Sequence, residues 1–303
     1  MPQGRPPLII PPPLQPGDAV GIASPAGPSA PSLLRQGMAL LKAWGYRPIV
    51  GRQSRRRKGY LAGSDRERAA ELNDLFTDPE IKAVLCARGG YGTMRILDAL
   101  DYEGIQRHPK IVMGFSDITA LLCALHRHAR LVTFHGPMVT GLPTLPVSVQ
   151  NRVQAVLKGD FSLRIPLPKG SKVPSGKVAG RLIGGNLTLL SHLIGTPFEP
   201  PWEGAILFLE DCGEAPYRLD RLFQHLRLRG IWEMVSAVLL GSFTGPGGKG
   251  LPVSLIRSFF SDIPTPVWTG FPIGHGRRNL PVPFGVQALL NGNQGLLQVD
   301  SQP

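Results

Sequence analysis

Ser116 follows the apolar run IVMGF and opens DITALLCAL, so its hydroxyl belongs at a strand-to-helix turn, beside backbone N–H groups that no helical carbonyl accepts. A nucleophile uses such a turn, because the next N–H and the helix N-terminus can hold a developing oxyanion. The G-x-S-x-G form is absent, since Ile118 stands where its second glycine would be. Helix capping by a serine before aspartate accounts for the same residues. Glu210 ends the run AILFL with Asp211 and Glu214 close behind. That cluster fits a catalytic carboxylate, a solvated acidic turn or a metal site, although a metal needs further ligands at spacings that are not seen beside it.

His275 lies in Gly274-His275-Gly276 after PVWTGFPI, where flanking glycines offer little to pack a core histidine, and a structural role stays open. His135, in FHGPM, is the second candidate for a base. His126, His128, His192 and His225 fall on helical stretches and read as packing or surface residues. The run ARGGYGT, with Arg88, Gly89 and Gly90, could cradle a phosphate, donate N–H groups to an oxyanion or merely end a strand. It matches neither a P-loop nor G-x-G-x-x-G. Adjacent glycines do let a backbone approach a ligand closely. A serine, a histidine and a carboxylate brought together would perform acyl transfer, the histidine taking the serine proton and the carboxylate orienting the ring.

Those residues need a scaffold, and the first half supplies the alternation of βα units on a parallel sheet. DAVGIASPAG, RPIVG, KAVLCARGG, KIVMGFS and LVTFHGP read as strands, with helices at Leu33–Leu41, SDRERAAELNDLFTD, GTMRILDAL and DITALLCALHRH. Ser64 and Glu67 have the spacing of a capping box. In open α/β sheets ligands bind beyond the carboxyl ends of the strands, where Arg88–Gly92, Gly114–Asp117 and His135–Pro137 all fall.

Residues 141–175 carry five prolines, Pro143, Pro146, Pro166, Pro168 and Pro174, around one helical piece, SVQNRVQAVLKG, and read as an interdomain crossover. Residues 1–140 then form an N-terminal α/β domain carrying the nucleophile, and 176–303 a C-terminal α/β domain carrying Glu210 and His275. In the latter, GRLIGGNLTLLSHLIG reads as a glycine turn followed by a helix, AILFLEDCGE, SAVLLGSF and PVWTGFPIGHG as strands, and YRLDRLFQHLRLRG as an amphipathic helix.

With 42% hydrophobic residues the chain can bury a sizeable core, and its 303 residues favour two domains. No apolar run is long enough to span a bilayer, and MPQGRPPLIIPPPLQPGD lacks the features of a signal peptide, so a soluble, unexported protein is expected. Cys86, Cys123 and Cys212 form no CxxC pair; the first two sit in apolar runs and read as buried thiols. A net charge of +12 raises the question of nucleic acid or another anionic ligand. Beyond charge the only support is the cluster Arg55, Arg56, Arg57 and Lys58, which has neither interleaved aromatics nor a DNA-binding motif.

The segments ARGGYGTMRILD, GFSDITAL, FHGPM, GRLIGGNLTLL, LFLEDCGEAPYRLDR and the GHG turn together resemble the motif set of the LD-carboxypeptidase family of serine peptidases, which includes microcin-immunity peptidases. The resemblance covers about residues 14–295. It implies two α/β domains, an N-terminal flavodoxin-like or amidotransferase-like open parallel sheet and a second C-terminal α/β domain, with the site between them. By this resemblance Ser116 is the nucleophile, His275 the general base and Glu210 the orienting carboxylate, with oxyanion donors at the N–H of Asp117 and of Gly89 or Gly90.

The implied reaction removes a terminal D-alanine from cytoplasmic murein tetrapeptides, without metal or other cofactor. Arg88, Arg277 and Arg278 are candidates for binding the substrate's terminal carboxylate. A homodimer is implied by the resemblance alone. An immunity-type peptidase acting on peptidyl or aminoacyl nucleotides is the alternative; a long aromatic-rich specificity loop would favour it, and the sequence offers none.

Overall fold

A computed structural model of the chain describes residues 7–166 and 176–300. Residues 1–6 of the stretch read for an export signal, and Pro168 and Pro174 of the expected crossover, lie outside the described residues. In the first half β1 (Ala19–Ala23), β2 (Arg47–Val50), β3 (Ile81–Cys86), β4 (Ile111–Gly114) and β5 (Thr133–His135) alternate with α1 (Pro31–Ala43), α2 (Asp65–Thr77), α3 (Tyr102–Arg107) and α4 (Thr119–Ala124). Next come α5 (Val147–Leu157), β6 (Leu163–Pro166), β7 (Lys177–Asn186), α6 (Leu187–Leu193), β8 (Ile206–Asp211) and α7 (Pro216–Leu228). The described chain finishes with α8 (Ile231–Met234), β9 (Ala237–Phe243), α9 (Val253–Ser258), β10 (Val267–Thr269), β11 (Val282–Phe284), β12 (Gln287–Asn291) and β13 (Leu296–Val299).

Two sheets result, one ordered β11-β5-β4-β3-β1-β2 and one ordered β10-β9-β8-β7-β12-β13-β6. The α/β class with two sheets is as expected. The first sheet is parallel except for β11, which runs antiparallel beside β5. In the second, β7 to β10 are parallel, while β12, β13 and β6 are antiparallel. Sheet membership cuts across the expected boundaries: β6 lies inside 141–175 and joins the second sheet, whereas β11 lies inside 176–303 and joins the first.

Local chemistry explains the elements that hold the site. The capping box at α2 forms, with Glu67 N donating to Ser64 Oγ (3.3 Å) and Ser64 N donating to Glu67 Oε2 (2.8 Å). All six residues of α4 are buried, in keeping with the apolar run ALLCA that follows Thr119. Its Leu121 and Leu122 are fully buried, a contribution of about 2 kcal/mol each.

The segment GRLIGGN differs from its reading as a glycine turn, forming instead the central strand β7. Its glycines serve close packing: a Cβ on Gly184 would lie 1.9 Å from the carbonyl oxygen of Phe208, and one on Gly185 2.6 Å from Thr119 Oγ1. GTMRILDAL winds as a 3-10 turn at Thr93–Ala99 rather than a full α-helix.

Candidate active site

Ser116 stands just past β4 at φ 63°, one of two non-glycine residues in the left-handed region among those described. A non-glycine residue held there costs about 1–2 kcal/mol, and such strain gathers where a side chain must be presented at a turn. The turn is tight: a Cβ on Gly114 would meet Ile118 Cγ2 at 2.7 Å. Directly after Ser116, the buried Asp117 carboxylate accepts from Thr93 N at 2.8 Å, tying the turn to the glycine-rich loop. Burial pushes the Asp117 carboxyl upward against those hydrogen bonds.

Gly89 in that loop lies against Ser116, where a Cβ on Gly89 would be 3.1 Å from Ser116 Cβ and 3.3 Å from Oγ. Gly90 takes φ 117°, a conformation that favours glycine, and packs on Gly27. Gly27 N donates to Gly89 O at 3.1 Å. Fully buried Arg68 braces the same loops from behind, donating to Pro25 O, to Gly92 O at 2.9 Å and to Asp65 Oδ1 at 2.5 Å.

From the second sheet, Glu210 near the end of β8 is completely buried and accepts from His275 Nδ1 through Oε2 at 2.6 Å. Gly274 permits that approach, since a Cβ there would lie 2.6 Å from both Glu210 Cβ and Oε2. Asn279 Oδ1 holds the turn by accepting from Gly274 N at 3.0 Å. The His275 side chain keeps 22% exposure, whereas Glu210 keeps none. Its ring packs 4.7 Å from that of Phe115, the residue before Ser116, so the serine turn and the Glu210–His275 pair meet across the two sheets.

Electrostatics follow from burial and pairing. Burial drives the Glu210 carboxyl upward, but His135 and His275 overcome it and hold it down at about 2. Burial likewise disfavours a charged His275, but hydrogen bonding with Cys212 and Glu210 wins and pushes the ring up to about 10.

Asp211 points away from the histidine, accepting from Asn186 Nδ2 (2.9 Å), Thr188 N (2.9 Å), Thr188 Oγ1 (2.8 Å) and its neighbour Cys212 N (2.8 Å). It clamps the β7–α6 junction, with burial and the Glu210 charge raising its carboxyl to about 6. Glu214 lies beyond Gly213 and faces Arg218 at 3.7 Å.

The other expected residues are less gathered. Arg88 is exposed, its Nη1 donating to Pro28 O at 2.9 Å beside Gly27. Arg277 and Arg278 are exposed on the turn after His275, and none of the three arginines joins an ion pair among the described residues. His135 is fully buried behind Glu210, its Nε2 3.8 Å from Oε1.

Sequence reasoning passed over the Asp117 side chain, Arg68 and Cys212. Only the placement of Cys212 two residues past Glu210 hinted at its contact with the histidine. Among the described residues no group of His, Cys, Asp and Glu could hold a metal ion, and no helix is long and apolar enough to cross a membrane. Arg55, Arg56, Arg57 and Lys58 are all exposed.

Comparison with known proteins extends over nearly the whole chain. Residues 20–136 match the LD-carboxypeptidase N-terminal domain and residues 179–290 the LD-carboxypeptidase C-terminal domain. A relative from Bacillus subtilis (strain 168), described as "Probable murein peptide carboxypeptidase", is 38% identical over 92% of this chain and 90% of its own. The crystal structure of muramoyltetrapeptide carboxypeptidase from Oxalobacter formigenes is 31% identical and superposes with a TM-score of 0.82, covering 92% of this chain and 97% of that one. A structure of the microcin C7 self-immunity protein MccF is 28% identical with a TM-score of 0.88, covering 98% and 99%. With both domain models matched in order and around two buried-to-exposed turns that face each other, the chain belongs to the LD-carboxypeptidase family.

Proposed function

We propose that the protein is a serine carboxypeptidase that cleaves the L,D peptide bond releasing terminal D-alanine from murein tetrapeptides. The observation that carries this reading is the 2.6 Å contact between the buried Glu210 carboxylate and His275 Nδ1, which leaves Nε2 as the nitrogen that can work on Ser116. His275 takes the Ser116 proton as Oγ attacks the scissile carbonyl, then returns it to the departing D-alanine amine. Water repeats the sequence on the acyl-enzyme. The N–H groups of Asp117 and of Gly89 or Gly90 receive the oxyanion, a reading supported by the packing of Gly89 on Ser116. Arg88, Arg277 or Arg278 binds the terminal carboxylate of the peptide.

A cytoplasmic setting, in which such peptides are recycled, fits this substrate, as does a homodimer. The domain division at residues 141–175 is proposed with β6 of that stretch serving the second sheet and β11, from the C-terminal half, serving the first.

The likeness to MccF supports a second reading, hydrolysis of a peptidyl or aminoacyl nucleotide by the same three side chains. Incubation with a tetrapeptide ending in D-alanine, alongside an aminoacyl sulfamoyl nucleoside, separates them by mass spectrometry. Loss of D-alanine from the first is expected. Cleavage of the nucleoside alone would replace the substrate, and cleavage of neither would set aside the peptidase reading.

A further inference from the structure

Glu210 has two oxygens, and only one is accounted for by His275. The side chain has no exposed surface, so its charge depends wholly on protein partners. Oε2 accepts a hydrogen bond from His275 Nδ1, while Oε1 faces His135 Nε2 at 3.8 Å, within ion-pair range but long for a hydrogen bond. Oε1 and both ring nitrogens of His135 have no other hydrogen-bond partner among the described residues. Each buried polar atom left so costs about 1–3 kcal/mol, and two of them, Oε1 and His135 Nε2, facing each other calls for a reason other than packing.

The backbone holds His135 in place. It ends β5, in register with Gly114 of β4 and Val282 of β11, and its ring stands edge-on to Phe208 (5.2 Å) and Phe115 (6.0 Å). His135 thus belongs to the first sheet while Glu210 belongs to the second. The carboxylate lies between a histidine from each side of the interface.

We propose that His135 is a positioning residue, its Nε2–H serving as the second partner of the Glu210 carboxylate and fixing it so that Oε2 stays on His275 Nδ1. The geometry stands by itself; the catalytic meaning rests on the serine-peptidase reading. Hydrogen bonds of this kind are often long in a free enzyme and tighten when substrate binds. The groups facing the pair are His135 and Cys212, with Asp211 next in the strand. A donor on Oε1 draws charge from the carboxylate, so its loss should make the Glu210–His275 pair hold its shared proton more tightly.

The test follows the His275 ring by NMR through a pH titration, in wild type, His135→Phe and His135→Gln, with turnover of the D-alanine tetrapeptide measured alongside. In His135→Phe the His275 midpoint should rise by about one pH unit, with kcat down about tenfold and KM little changed. His135→Gln keeps an N–H donor and should return both toward wild type. If His135→Phe does not fold, His135→Met supplies the apolar arm.

A midpoint unmoved in the apolar variant, or equal behaviour of the Gln and apolar variants, overturns the proposal, even where kcat has fallen. Should wild type release no D-alanine, the titration still decides the role of His135, and only the peptidase reading falls.

Discussion

Glu210 and Asp211 are adjacent carboxylates turned to opposite uses by strand alternation, one toward His275 and the other into the β7–α6 junction. Glu210→Gln keeps the shape and loses the charge that stabilises the imidazolium, so kcat should drop by roughly a thousandfold or more. Asp211→Asn and Glu214→Gln should cost far less activity, and Asp211→Asn should show instead as a lowered melting temperature. A damaging Glu214→Gln with a mild Glu210→Gln would move the orienting role elsewhere.

With His275 as the proposed base, the histidine also sets the expected direction of the pH profile. His275 accepts a proton only when neutral, and its pKa lies above the ordinary 6.5, pushed up toward about 10. Activity therefore gains its competent form as pH rises, and the acidic limb of kcat/KM should lie on the alkaline side of 6.5, moving to lower pH in Glu210→Gln. An acidic limb below 6.5 in wild type would contradict this. Ser116, Glu210 and His275 stood out as candidates because each follows an apolar run beside glycine or acid, but their roles came from the family resemblance and not from those runs. The contact of Cys212 with His275 depends on two strand ends of one sheet far apart in sequence, and that of His135 with Glu210 on side chains from different sheets, so neither could be read from a local run.

Glycine positions decide how closely the elements approach. Gly274→Ala would put a methyl group 2.6 Å from Glu210 Cβ and Oε2 at φ 92°, so it should displace the carboxylate and depress both melting temperature and kcat. Activity and stability close to wild type would show that the turn can relax. Behind the glycine-rich loop, Arg68→Met removes donors to Pro25 O and Gly92 O, and should lower stability by ~3 kcal/mol in a denaturant titration.

The parallel strands and α2 were readable from short apolar runs and a local cap, signals that lie within one element. β7 was hidden because paired glycines mimic a turn, and their purpose appears only when Phe208 and Thr119 are seen against them. β6 and β11 were equally silent, since the partner that makes each a strand is remote in sequence.

Across the whole molecule, α4 joins the halves. Asn186 N donates to Thr119 Oγ1 at 3.0 Å, and Phe115 reaches His275, so the serine turn is set from both sheets. The association of the sheets could not be read from either half alone, although the order of the motifs implied it. On the same scale, light scattering at micromolar concentration should give the mass of a dimer of the 32.7 kDa chain; a monomer throughout would remove the homodimer. The exposed basic cluster predicts no more than weak, salt-sensitive binding to DNA or RNA, and tight binding at physiological salt would bring the anionic-ligand reading forward.

The central claim is that Ser116 is the nucleophile of a carboxypeptidase, and the rate of D-alanine release from a murein tetrapeptide by Ser116→Ala tests it most directly. The variant should stay folded, since no capping hydrogen bond of the serine turn or of α4 depends on the Ser116 hydroxyl, and release should fall by roughly ten-thousandfold. A folded Ser116→Ala protein that keeps more than about one percent of wild-type release, above the residual rate that binding and oxyanion donors supply, would contradict it.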